Sequence, residues 1–348
     1  MKVQAGRAMA TIKDVARLAG VGVGTASRVI SGKGSFSKDA AERVATAVQQ
    51  LGFRPSATAR ALSLRSTGTI GVFIPDFKGP FYGPLLHAID TELRQHDRHM
   101  VAANGCGHED ARQQALDGVR FLVDRECDGI IITSTALKDV DFIQLKEQFP
   151  NIAVVNRDVK GMKSQCFTVD HRAAGRVAAQ TLLDHGHRRI AVISGPSAAG
   201  DNRQRMQGFF ECLADAGIGA ESVMVEEGEF DAISGWSAVD RLLKRRAGMS
   251  ALFCANDQMA MGALSCLHNA GIDVPGEVSV LGYDDTDVAA FLSPRLTSVH
   301  IPIADMGLNA CRMLMNACYG MALKVSREFE PTASVRDSVR KVDARTAA

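Results

Sequence analysis

Apolar positions along the chain recur with two different periods, and the change comes at Thr69. Over the first fifty residues the period is helical. Ile12, Val15, Ala16 and Ala19 fall on one face of a first short helix, and Val23, Ala26, Val29 and Ile30 on one face of a second. Gly20-Val21-Gly22 between them supplies a tight turn, with glycine where the backbone can take positive φ. Ser37 is placed to cap a third helix with the stripe Ala40, Ala41, Val44, Val48 and Leu51, closed by Gly52. Two helices on a three-residue glycine turn are the signature of a helix-turn-helix, whose second helix enters the DNA major groove. With the apolar stripe turned inward, Thr25, Ser27 and Arg28 point outward as hydrogen-bond donors. Three helices of this length bury little core, so this unit is marginal when isolated. Pro55 then breaks the chain, and Ser56 can cap a short helix over about 57–64 that is too short to be stable alone.

Beyond Thr69, short apolar runs alternate with amphipathic helical stretches. Strands are expected at 69–74, 99–103, 129–133, 152–155, 189–194, 222–226, 250–253 and 278–281. Such alternation builds right-handed βαβ units and parallel sheets covered by helices on both faces. The strands are too many for one small sheet, so two similar lobes are expected, each an open α/β sheet. Ligands in such sheets bind beyond the carboxyl ends of the strands, and two facing lobes make a cleft that can close. Polar and aromatic residues do follow the strands: Pro75-Asp76 and Pro80-Phe81-Tyr82, Asn156-Arg157, Asp170, a loop leading to Arg203 and Arg205, Asn256-Asp257, and Tyr283-Asp284-Asp285. Carboxylate, amide and guanidinium groups with aromatic faces are the chemistry of polyol recognition. A plainer reading stands beside this one. Asn256 and Asp257 can cap the helix that follows, Asp285 can be structural, Arg203 can be a solvated helix residue, and Trp236 can pack in the core.

Charge sharpens the division into a head and a body. Net charge over the 348 residues is only +1, yet residues 1–65 carry eleven Lys/Arg against three Asp/Glu, leaving 29 against 36 for the remainder. A basic head on an acidic body fits a DNA-binding unit fused to something else. The eight cysteines are scattered singly, without C-x-x-C or ligand spacing, and read as reduced residues of a cytoplasmic protein; no metal site and no cofactor is expected. No run approaches the ~18 apolar residues of a membrane helix, and no apolar run follows Lys2 and Arg7, so neither a membrane span nor a secretory signal is expected. G-x-S-x-G and phosphate-loop motifs are absent, and Asp284-Asp285, adjacent in sequence, is poorly placed to aim at one bond. No catalytic residue is assigned, and an enzyme is disfavoured.

The stretches DVARLAGV (14–21), TASRVISG (25–32) and GFRPSATARAL (52–62) resemble the head of LacI/GalR-family transcriptional regulators. So do RMQGF (205–209), EGEFDAISGW (227–236), ANDQMAMGAL (255–264) and LGYDDTD (281–287) in the body. The resemblance spans almost the whole chain. It implies a small all-α head and an α/β effector domain of periplasmic-binding-protein type, joined by a hinge that orders on DNA. The expected division is an extension at 1–8, a helix-turn-helix domain at 9–54, a hinge at 55–66, an effector and dimerisation domain at 67–340 and a tail at 341–348. Lobe 1 is expected over about 67–166 and 297–326, and lobe 2 over about 167–296 and 327–340. The resemblance further implies DNA contacts from Thr11, Val23, Gly24, Thr25, Ser27 and Arg28, and from Ser56, Ala59 and Leu62 of the hinge. Leu62 would wedge between base steps in the minor groove. It implies effector contacts from Arg205, Asn256 and Asp284, in a pocket lined by Phe81, Tyr82, Arg157 and Phe230. The implied partners are a near-palindromic operator, a second copy of the chain and a small effector, a sugar; the alternatives are a purine corepressor, or a phosphoprotein partner with no small molecule. Two positions depart from the family. Gly22 stands where the recognition helix usually opens with Ser, and Gly24 has no side chain with which to read a base.

Overall fold

The structure, a computed structural model, describes residues 10–32, 34–53, 66–105, 110–245 and 248–342. The chain divides into two compact units, residues 1–67 and 68–348. The first unit holds α1 (Ile12–Ala19), α2 (Val23–Ser31) and α3 (Lys38–Leu51). Gly20 ends α1 at φ +62°, the left-handed conformation a side chain disfavours, and this turns the chain into α2. The core is small: Val15, Ala16, Ala19, Ala26, Val44 and Ala47, four of them alanines. Two positions expected in the apolar stripes are exposed instead. Val23 is 45% exposed and Leu51 36% exposed.

The second unit contains two sheets. In the first, β1 (Thr69–Ile74), β2 (His99–Asn104), β3 (Gly129–Ile132), β4 (Ile152–Val155) and β5 (Cys166–Phe167) run in the order β2-β1-β3-β4-β5, every pair parallel. β3 and β4 are buried along their whole length, as strands covered on both faces must be. Helices α4 (Tyr82–Gln95), α5 (Ala111–Asp124) and α6 (Asp139–Gln148) alternate with these strands. The second sheet comprises β6 (Ile190–Ser194), β7 (Met224–Glu227), β8 (Ala251–Cys254), β9 (Ser279–Asp284), β10 (Thr297–His300) and β11 (Thr332–Ser334). Their order is β11-β10-β9-β8-β6-β7, with only β11 antiparallel. Side chains alternate across it: Ile190 and Val192 join one core cluster, Ala191 and Ile193 another. Helices α7 (His171–Asp184), α8 (Gly200–Asp215), α9 (Ala232–Lys244) and α10 (Asp257–Asn269) cover this sheet. The last helix, α11 (Ile303–Tyr319), returns to the first lobe, where Arg312 pairs with Glu92 of α4 at 2.7 Å.

This return corrects the expected lobe boundary. Residues 297–300, assigned to lobe 1 by the sequence reading, form β10 of the second sheet, and the chain recrosses only after it. β10 is TSVH, too polar to read as a buried strand. Thr297 and Ser298 are fully buried because the Ser338 hydroxyl accepts from the Thr297 amide and the Ser298 hydroxyl donates to Asp257. β5 and β11, at two and three residues, are too short to show a period. Trp236, for which core packing was expected, is 38% exposed on α9.

Candidate DNA interface and effector cleft

The exposed side of α2 carries Val23, Gly24, Ser27 and Arg28, with Thr25 half-buried beside them; Ala26 is the residue it buries completely. Arg28 Nη2 donates to the Thr25 hydroxyl at 3.3 Å, so the two present one polar surface. Gly22 caps α2 without a side-chain bond, leaving the start of the helix to its backbone N–H groups, a ready anion site. Thr11 is the cap of α1. Its hydroxyl accepts from the Asp14 amide at 3.4 Å, and the Asp14 carboxylate accepts from the Thr11 amide at 3.0 Å, a reciprocal capping box the sequence reading did not identify. The expected hinge contacts Ser56, Ala59 and Leu62 lie outside the described residues.

In the second unit, the strand ends bring the expected effector residues close together. Tyr82 and Arg157 line one cavity with Thr133, Ser134, Asn156, His171, Asp201 and Arg203; Phe81 and Asp284 line another with Asp285 and His300. The Phe81 and Tyr82 rings meet edge to face at 5.0 Å, so the cavities adjoin. Behind them lies Arg205, only 2% exposed. It is there because α7 and α8 cross without clearance: a Cβ on Gly175 would lie 2.0 Å from the Arg205 carbonyl oxygen, and one on Gly208 1.8 Å from that of Arg172. Its guanidinium donates to the Ala255 carbonyl and, at 3.2 Å, to Asp201, and it stacks 3.6 Å from the centre of the Tyr283 ring. Burial opposes the charge, and Tyr283, Asp201 and Asp284 outweigh it, raising the pKa. The Tyr283 hydroxyl lies 3.0 Å from Nδ1 of His171, whose burial lowers its pKa to about 4 and keeps it neutral.

Asp284 is the mirror case. Burial drives its carboxyl well above the usual range, with Arg205 the opposing charge and Asp257 and Asp201 adding to the rise. It sits at φ +112° and Asp285 at φ +53°, conformations that cost on the order of 1–3 kcal/mol each and cluster at functional sites. Asp285 anchors this turn: burial opposes its charge, but bonds from His300, Ser334 and Arg336 hold it down to about 2.

Other expected contacts are spent within the protein. Asn256 caps α10, its Oδ1 accepting from the Met259 amide at 2.9 Å and its Nδ2 donating to the Phe230 carbonyl at 2.9 Å. The Phe230 ring lies 5.8 Å from the Arg205 guanidinium. Arg157 donates to the Leu137 carbonyl and to Asp139 at 2.7 Å, holding the loop after β3. Asp201, His171 and Tyr283 were not singled out as ligand contacts. Asp201 stands seven residues past the end of β6, beyond the reach of a strand-end rule. Among the described residues, no group of His, Cys, Asp or Glu could hold a metal, and no helix is long and apolar enough to cross a membrane.

Comparisons with known proteins bear on both units. Residues 11–56 match the family described as bacterial regulatory proteins, lacI family, and residues 179–339 match the periplasmic binding protein-like domain. The chain is 35% identical over 332 residues to the HTH-type transcriptional regulator GalR of Escherichia coli (strain K12), covering 95% of this chain and 96% of that protein. Its fold is similar to that of a LacI-family transcriptional regulator from Burkhoderia phymatum, with 47% identity, a TM-score of 0.77, and 78% and 99% of the two chains covered. It is also similar to the lac repressor dimer bound to operator and the anti-inducer ONPF, with 25% identity, a TM-score of 0.83, and 95% and 99% covered.

Proposed function

Given that the chain belongs to the lacI family of bacterial regulatory proteins and is a DNA-binding transcriptional regulator, we propose that it is a cytoplasmic, homodimeric repressor of a carbohydrate-utilisation operon, released from its operator by a small sugar. α2 reads base edges and phosphates through Val23, Thr25, Ser27 and Arg28, with the backbone of Gly24, Thr11 and the hinge residues Ser56, Ala59 and Leu62 as further contacts. Two heads engage two half-sites of a near-palindromic operator. The dimeric arrangement is supported by the similar lac repressor structure, which is a dimer on operator.

The observation that carries the effector assignment is the buried, paired chemistry at the strand ends. Arg205, fixed on Tyr283 and Asp201, and Asp284, desolvated and held in a strained turn, put a buried cation and a carboxyl group behind the Phe81 and Tyr82 rings. A pyranose offers what such a site needs: hydroxyls that donate and accept, and an apolar face for an aromatic ring. Both lobes line the cavities, so a ligand bound there couples to their relative position, an effect typically worth ~1–3 kcal/mol. Calorimetric titration of the full chain with mono- and disaccharides tests the site. A sugar is expected to bind saturably, and Asp284→Ala to abolish that binding while the far-ultraviolet circular dichroism stays unchanged. Undiminished binding by the variant would remove Asp284 from the site.

A further inference from the structure

We propose that Asp201 makes the cleft selective for uncharged, hydroxyl-rich ligands, so that the effector is an unphosphorylated sugar and the phosphorylated form is rejected. This rests on the reading of the cleft as a sugar site.

The Asp201 side chain, in the first turn of α8, is 10% exposed and lines the cavity that Tyr82, Asn156 and Arg203 also line. Its Oδ2 accepts from Arg205 at 3.2 Å. Its Oδ1 is buried without a hydrogen-bond partner, and so is Oδ1 of Asn156 across the same cavity. A carboxylate only accepts, and a buried acceptor left without a donor is costly, so the site calls for a ligand that donates.

The arginines that would hold an anion each make bonds within the protein. Arg157 bonds the Leu137 carbonyl and Asp139, Arg203 uses Nη1 alone on the carbonyls of Ser197 and Ala198, and Arg205 bonds Ala255 and Asp201. The buried Nε of Arg205 is without a partner, and it belongs to a guanidinium stacked on Tyr283. Asp139 and Asp158 line the same wall, and no lysine does. A phosphoryl group placed at Asp201 would meet a carboxylate whose paired cation, Arg205, is itself buried. A hydroxyl would donate to Asp201 and complete it.

The test is a paired calorimetric titration of the full chain with D-glucose, D-galactose and D-fructose and with the 6-phosphate of each, adding cellobiose and the purines guanine and hypoxanthine. Wild type is compared with Asp201→Asn and Asp201→Ala, each checked by thermal melting. At least one sugar is expected to bind wild type about tenfold or more tightly than its 6-phosphate, and Asp201→Asn to narrow that ratio by about tenfold, the worth of a hydrogen bond to a charged group. The ratio is informative because a merely structural role would weaken both ligands alike. A 6-phosphate that binds wild type as tightly as its parent sugar, or a ratio unchanged in both variants, overturns the selectivity and leaves the sugar reading standing. Binding of purines alone, or of nothing in the panel, overturns the sugar reading and this inference with it.

Discussion

His187 is fully buried between the Ser250 hydroxyl, 3.1 Å from Nδ1, and the Arg340 carbonyl, 3.1 Å from Nε2, and burial lowers its pKa from 6.5 to about 4. The unfolded chain takes up a proton near pH 6.5 and the folded chain resists until about 4. The stability contributed by the neutral imidazole is therefore present above pH 6.5 and lost as pH falls from there to about 4. Between pH 7.5 and 4.5 this amounts to about 2.5 kcal/mol. Denaturant unfolding at those two pH values is expected to show His187→Asn losing less stability on acidification than wild type, by about that amount; an equal loss would contradict the assignment. Asp257 works with the opposite sign, since burial raises its pKa to about 6 despite bonds from Ser298 and Thr286, so its contribution falls as pH rises toward neutrality. At this scale the sequence was only partly legible. That Arg205 and Asp284 follow strands is visible in the order of residues. That Asn256 can cap α10 is likewise read from its place before a helix, whereas Asp201 standing unsatisfied beside Arg205 depends on helix crossings that no spacing encodes.

α2 shows what an element-level pattern carries and what it misses. Its boundaries follow from Gly22 and Gly32 and from one apolar stripe, and Ala26, Val29 and Ile30 do face the head core. Val23 shares their period but lies at the helix start, where no neighbour covers it, and so it joins the exposed face. A Cβ at Gly24 would meet nothing within 4 Å, so glycine here costs helix stability without relieving any clash in the chain. Gly24→Ala is expected to stabilise α2 by about 0.5–1 kcal/mol, read in the full chain as a several-fold slowing of amide hydrogen exchange in residues 25–31. Exchange that stays the same or speeds up would show that another interaction sets the stability of this helix. The strands divide in the same way. The apolar β1, β3, β4 and β8 were legible, whereas β10 was not, because Ser338, Asp257 and the Thr297–Ser298 pair satisfy its polar groups from distant parts of the chain.

Across the whole molecule, charge and repetition made the architecture legible: a basic three-helix unit, then strand–helix alternation too long for one sheet. The precise crossing points between lobes were not, since β10 and α11 are neighbours in sequence yet belong to different lobes. The head, with its excess of Lys and Arg, predicts operator affinity that falls steeply with added salt, each phosphate contact releasing bound counterions. The most direct test of an effector-controlled operator switch is a fluorescence-anisotropy titration at fixed salt, using the DNA upstream of the protein's own gene and of its neighbours. It is run with and without each sugar, for wild type and Asp284→Ala. One sugar is expected to weaken specific binding by wild type about 5- to 150-fold, and the variant to bind the same DNA as tightly without responding. If no sugar alters the affinity, or if Asp284→Ala responds as wild type does, the cleft does not control the head in the way described.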